Sequence, residues 1–212
     1  MEEKFGGVEK KLNVFNKVIY SLINPTELFK VIRKEEFSSS FLYLLFVTSI
    51  PTLIKIVLFL FGITSLSGSS IGSILKEYTI VIIGAFIYAG VFHLFAKLFG
   101  GVAGYGETYK AYVYGFTAST LFGWIPFIGI LGIVYGVYCF VKGISILHGL
   151  STGKAFLVWF MPILIVLVIL VFLLILWGVA IYSFLLGVYS QNPQLLSYLN
   201  ETGEFVKVLT RG

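Results

Sequence analysis

The sequence predicts an all-α, polytopic membrane protein: a bundle of five transmembrane helices preceded by interfacial amphipathic helices. Three observations predict it. Apolar blocks at 38–62, 78–96, 108–123, 125–147 and 155–187 are almost free of charge. The 212 residues are 58% hydrophobic and only 12% charged, with mean hydropathy +0.98. Lys and Arg cluster on alternate connections between the blocks. A run of about 18 or more apolar residues is long enough to cross the hydrocarbon core as a helix. No soluble domain of this length could hide so much apolar surface in its own interior, so lipid must solvate much of it. The blocks are continuous rather than alternating, which favours helices over barrel strands.

Residues 1–37 read as a cytoplasmic segment whose first helix either lies on the leaflet or packs on cytoplasmic loops. Val8, Leu12, Phe15, Ile19 and Leu22 recur at helical spacing, with Lys10, Lys11, Asn13 and Lys17 mostly off that stripe. In the next stretch, Asn-Pro-Thr-Glu from residue 24, Asn24 can cap and Pro25 suits the first helical position. Glu27 completes a variant of the capping box. The first span contains Pro51, a source of kinking, and Lys55, about two turns from the end. Lys55 could snorkel outward or pair with Glu77, which opens the second span. Residues 63–73 form an uncharged Ser/Gly connection.

The second span ends near His93 and Lys97. The third is short and less apolar. Ala111, Gly115, Ser119 and Gly123 make one small-residue stripe along it, and Gly132 and Gly136 repeat the spacing in the fourth. Such stripes let helix backbones approach closely in lipid, so the third helix is expected to be central and enclosed. The fifth block exceeds what a bilayer requires. Pro162 is expected to divide it, unless the helix tilts. Residues 188–212 read as an extracytoplasmic tail, with a glycosylation sequon at Asn200-Glu201-Thr202.

Charge sets the expected orientation. Lys4, Lys10, Lys11, Lys17, Lys30, Arg33 and Lys34 precede the first span. Lys97, Lys110, Lys142 and Lys154 flank the connections on the same side, while 63–73 and 123–125 carry no Lys or Arg. This places the N-terminus in the cytoplasm and the C-terminus outside. The early basic residues are interleaved with acids and adjoin a membrane span, so they read as a topology signal, with no nucleic acid as partner.

The residues that carry chemistry are few. There is no Asp, every Glu lies at the edge of a span or in a tail, and Cys139 is the one cysteine. No nucleophile, base and orienter fall together, so no catalytic residue and no enzyme activity are expected. His93 and His148 could approach each other, but two histidines without a carboxylate or thiolate make a poor zinc site. Neither a metal nor another cofactor is expected. The glycine-rich Gly100–Lys110 connection lacks the Gly-Lys-Ser/Thr of a phosphate loop. Lys55, His93 and Lys142 remain as candidate functional polar residues within the membrane.

Residues 24–154 resemble the Yip (Ypt-interacting protein) family. The resemblance rests on NPTELFKVIRKEEF and on the stretch from HLFAKLFGG through the Pro-bearing GWIPFIG turn to HGLSTGKAF. It implies five spans, a cytoplasmic N-terminus, no assigned catalytic residues and a role in organising membranes. Eukaryotic members associate with prenylated Rab-type GTPases and with each other. This chain lacks the Asp-Leu-Tyr-Gly-Pro stretch of that branch and has a short N-terminal segment, which counts against GTPase binding. It is more similar to the prokaryotic branch, which implies a cell-membrane location. The expected function is a scaffold binding itself or other membrane proteins in the lipid bilayer. The alternative is passive passage of a small solute or lipid.

Overall fold

A computed structural model describes residues 12–63 and 70–191, together with Gln194 and Ser197. Every regular element among the described residues is a helix. In chain order they are α1 (Val14–Ile23), α2 (Pro25–Ile32), α3 (Phe37–Leu60), α4 (Ile71–Leu98), α5 (Tyr105–Gly115), α6 (Thr117–Phe122), α7 (Ile128–His148) and α8 (Thr152–Gln191). The chain divides into two compact units, Met1–Pro162 and Ile163–Gly212. The first holds α1 to α7 and the beginning of α8; the second holds the rest of α8. Val8, Lys10, Lys11, most of the 63–73 connection and the sequon lie outside the described residues.

Local sequence explains where the helices begin. The Asn13 side chain accepts the Asn16 amide at 2.8 Å, and that of Asn24 accepts the Glu27 amide at 3.3 Å with Pro25 in the first turn. Ser70 and Ser73 form a reciprocal capping box. That cap starts α4 ahead of the apolar block at 78–96, because a good cap lets Lys76 and Glu77 join the first turns. α7 stops at Gly149, whose φ of +68° suits only glycine without strain. Pro51 and Pro162 lie inside helices that continue past them, so the expected division of the fifth block falls at a boundary between compact units but not at a helix end.

Among the described residues four helices are long and apolar enough to cross a membrane: Phe37–Leu60, Ile71–Leu98, Ile128–His148 and Thr152–Val188. The block expected at 108–123 has a different form. It is the α5–α6 pair, broken at Phe116. From 105 to 122 the two would rise about 27 Å end to end. Helix α5 is the enclosed element, with Thr108, Tyr109, Lys110, Ala111, Val113, Tyr114 and Gly115 all buried. It packs on α3, α4 and most broadly on α7. Enclosure by other helices removes the need for a lipid-compatible surface, which is why this helix can be the least apolar.

The amino-terminal helices pack against the bundle. Helix α1 packs against α2, α5 and α6, while α2 packs along α7. The two form a hairpin about Asn24 whose tip reaches well inside the bundle. Tyr135 donates to the Leu22 carbonyl at 2.9 Å, and Tyr135 lies two turns inside α7. Lys17 lies off the face of Phe15 and Ile19, and its own face is the one turned into the protein: it is 4% exposed, while Phe15, Ile19 and Ile23 are 67%, 51% and 77% exposed. The physical reason is that lipid is the cheaper surroundings for an apolar face. A narrow polar stripe, here Lys17 and Ser21, then turns toward partners inside the protein.

Small residues set the contact between α5–α6 and α7. A Cβ on Gly115 would lie 2.8 Å from the Phe140 backbone, and one on Gly143 would lie 2.7 Å from the tip of the Phe29 ring. A backbone cannot yield as a ring tip can. Gly115→Ala is therefore expected to lower stability by about 1–3 kcal/mol, the cost of overpacking, and by more than Gly143→Ala. Melting of the detergent-solubilised variants checks the order. The depth of the hairpin tip, level with Tyr135 two turns inside α7, gives a second expectation. In a Cys139→Ala background, Ile23→Cys should resist a membrane-impermeant maleimide applied to either face of vesicles, whereas the exposed Lys154→Cys should react on one face.

Candidate functional site

Three polar clusters lie inside the first unit. The innermost joins the hairpin to the bundle. The Lys17 ammonium donates to Glu35 Oε2 at 2.7 Å and to Ser39 Oγ at 2.9 Å. Ser39 Oγ donates to the same carboxylate oxygen at 3.2 Å, and so does the Tyr114 hydroxyl, also at 3.2 Å. The ammonium lies 5.9 Å from the centre of the Tyr114 ring. One step further in, Tyr43 shares hydrogen bonds with Ser21 at 3.3 Å and Thr117 at 2.9 Å, and its ring lies 4.3 Å from that of Tyr114. None of these residues carried a functional expectation. The signal was present: Lys17 and Ser21, four positions apart, form the only polar stripe on an otherwise apolar helix face.

The second cluster brings together the two histidines. Thr108 Oγ1 lies 2.9 Å from His93 Nδ1 and 2.8 Å from His148 Nε2. The hydroxyl has one proton, so at least one imidazole is the donor to it. The rings are 6.0 Å apart. Among the described residues no group of three or more His, Cys, Asp or Glu could hold a metal ion. His148 presses on Gly101, where a Cβ would meet its Nδ1 at 2.8 Å. Beside it, buried Lys110 donates to Glu107 at 2.8 Å and to the Arg33 carbonyl at 3.2 Å. Lys110 thereby ties α5 to the end of α2.

The third cluster surrounds Lys55 at the opposite end of the bundle. Its ammonium donates to Glu77 Oε1 at 2.6 Å. The lysine side chain is 10% exposed and the glutamate 57%. The pair stands at a cavity of about 280 Å³ lined in part by Thr48, Thr52, Tyr78, Tyr112, Thr120 and Trp124. Thr48 donates to the Leu44 carbonyl, Thr52 to Thr48 at 2.8 Å and Thr120 to Phe116 at 3.1 Å. Ser119, also on the wall, donates to the Gly132 carbonyl at 2.9 Å.

The three polar candidates are thus in three places. Lys55 is at the cavity, His93 is in the Thr108 cluster, and Lys142 lies 5.9 Å from the centre of the Tyr138 ring, outside both. The small residues are brought together. Ser119 Oγ stands 2.8 Å from where a Cβ on Gly136 would be, Gly132 faces Ala118, and Ala111 faces Gly143. Gly123 closes α6, its amide donating to the Ser119 carbonyl at 2.7 Å.

Long apolar helices around an enclosed polar one, with charges paired inside, define a polytopic helical membrane protein. The chain belongs to the Yip family: the model of the Yip1 domain matches residues 19–175. That span runs from the middle of α1 into α8. The chain matches no curated protein and no solved structure.

The Lys17–Glu35 pair makes a test of the first cluster. Removing one partner of a buried pair leaves an uncompensated charge and costs about 3–5 kcal/mol, whereas replacing both by apolar residues is often neutral. Lys17→Met and Glu35→Leu are each expected to lower the melting temperature sharply. The double variant should recover most of the loss. Thermal unfolding in one detergent across the four proteins checks this.

Proposed function

We propose that this protein is a non-enzymatic membrane-organising scaffold of the prokaryotic Yip type that binds itself or other membrane proteins within the bilayer. The observation that carries the reading is the inward closure of its polar groups. Lys17 on Glu35, Lys110 on the Arg33 carbonyl and His93 on Thr108 are engaged in holding helices together. Large apolar side chains such as Ile83, Ile87, Leu94, Leu131 and Val134 are exposed on α4 and α7. A surface of this kind meets lipid tails or the flank of another membrane protein. In this reading the α5–α6 pair completes five crossings, with the amino terminus in the cytoplasm and the carboxyl terminus outside. A GTPase partner is disfavoured, because the stretch characteristic of the GTPase-associated branch is absent.

One observation favours a second reading, passive passage of a small solute or lipid: the cavity beside Lys55. Flux in liposomes that falls with Lys55→Ala would select it. For the scaffold, the test is photo-crosslinking from Leu131 and Ile87 in native membranes. Discrete self-adducts or adducts with an integral membrane protein are expected. Strictly monomeric protein with no partner captured would overturn the reading.

A further inference from the structure

We infer that the cavity beside Lys55 is a binding site for a zwitterionic phospholipid headgroup bearing a primary ammonium, with its phosphate on Lys55 and its ammonium on Glu77. The inference goes beyond the scaffold reading and does not rest on it.

The position fits a headgroup. Lys55 lies five residues before the end of α3, and Glu77 lies six residues after the start of α4. At 1.5 Å per residue both are within roughly 10 Å of the same end of the bundle, the depth of the interfacial region. A volume of about 280 Å³ is at the low end for ligand sites, which run roughly 300–1,000 Å³. It admits a headgroup, with the acyl chains left outside.

The chemistry of the wall selects the class. Lys55 Nζ has Glu77 as its acceptor and retains further N–H donors on a side chain that is nine-tenths buried. A phosphate is the compact anion those donors suit. The carboxylate is the more exposed partner and is free to turn outward while keeping contact with the ligand's cationic end. The hydroxyls of Thr48, Thr52, Ser119 and Thr120 each give their proton to a helix carbonyl. What these four present to the cavity is lone pairs, which suit a ligand that donates. The indole N–H of Trp124 is likewise engaged, with the Leu121 carbonyl at 2.8 Å. Tyr78, Tyr112, Phe116 and Trp124 add aromatic surface, which favours a cation further. A primary ammonium donates hydrogen bonds to such a wall, whereas a quaternary one cannot. An anionic headgroup would leave Glu77 facing a like charge.

The test uses the full chain in detergent, with short-chain phosphatidylethanolamine, phosphatidylcholine and phosphatidylglycerol and with free O-phosphoethanolamine, read by native mass spectrometry. Phosphatidylethanolamine is expected to bind at least about tenfold more tightly than the other two lipids, the size of one charge-assisted contact. Lys55→Met should weaken it by a similar factor. Glu77→Gln should erase the preference for phosphatidylethanolamine over phosphatidylcholine. The double variant Lys55→Met/Glu77→Met leaves no unpaired charge and keeps the test valid if a single variant fails to fold; it should lose the preference entirely. Free phosphoethanolamine binding as tightly as the lipid would support the site while assigning it a soluble ligand. Equal binding of all three lipids, or a preference that survives the double variant, would overturn the inference.

Discussion

Lys17 and Glu35 meet at 2.7 Å within the protein, and the arrangement of the amino-terminal third follows from that contact. Helices facing lipid gain nothing from hiding apolar groups from one another, because the tails are as apolar as the side chains. What holds them in register is shape and the cost of a polar group left alone. Glu35 sits just ahead of α3, Lys17 lies on α1, and Tyr114 reaches the carboxylate from α5. One oxygen thus gathers three parts of the chain. Rotating α1 about its axis to put Lys17 on the outside would strand a carboxylate and expose an ammonium to hydrocarbon. The pair therefore fixes which face of α1 is outward, and Phe15, Ile19 and Ile23 follow.

The enclosed helix depends on the same logic. Helix α5 carries Glu107, Thr108 and Lys110 within its first turns, a content that would be costly against lipid. Each meets a partner: Lys110 takes Glu107 and the Arg33 carbonyl, and Thr108 takes the two imidazoles. The break at Phe116 falls where Thr117 gives its hydroxyl to the Tyr114 carbonyl at 2.9 Å and meets Tyr43 from α3. Gly115, one residue earlier, brings the α7 backbone into contact. The interruption is supported on both sides by other helices, the condition under which irregular backbone persists at membrane depth.

Much of this was legible in the chain. Uninterrupted apolar runs marked α3, α4, α7 and α8, because length and hydropathy alone decide whether a helix can cross. Asn24-Pro25 marked the turn between α1 and α2, because capping is a local property. Glu77 was one of two outcomes open to Lys55, the other being a side chain snorkelling outward, and nearness to the same connection did not decide between them. The direction of Lys17 was not legible from an amphipathic pattern, since that pattern says a helix has two faces and does not say which solvent each meets. In water the charged face turns outward; beside lipid it turns inward. The start of α4 was missed for a related reason. Lys76 and Glu77 interrupt the apolar run, so hydropathy starts the block at 78, while the Ser70–Ser73 cap begins the helix two turns earlier. The break at Phe116 leaves no local mark, because neither proline nor a strained dihedral produces it.

The two ends of the bundle are built to different rules. At the end where α3 and α5 begin and α4 and α7 finish, the polar groups close on each other: Lys17 on Glu35, Lys110 on Glu107, and both histidines on Thr108. There the ammonium groups are buried and several acceptors converge on each. At the other end Lys55 has one acceptor, and that acceptor is more than half exposed. Around it, threonine and serine hydroxyls have turned their protons into their own helices or the next. That turning is the ordinary way a hydroxyl is satisfied in a dry helix, and its consequence is that these four hydroxyls present acceptors to the cavity. The first end is closed by partners from the chain for Lys17, Lys110 and Thr108, while Glu107 Oε2, the Tyr109 hydroxyl and His148 Nδ1 are buried there without a hydrogen-bond partner. The second end keeps a buried cation, paired with a half-exposed carboxylate, beside a cavity lined in part by acceptors.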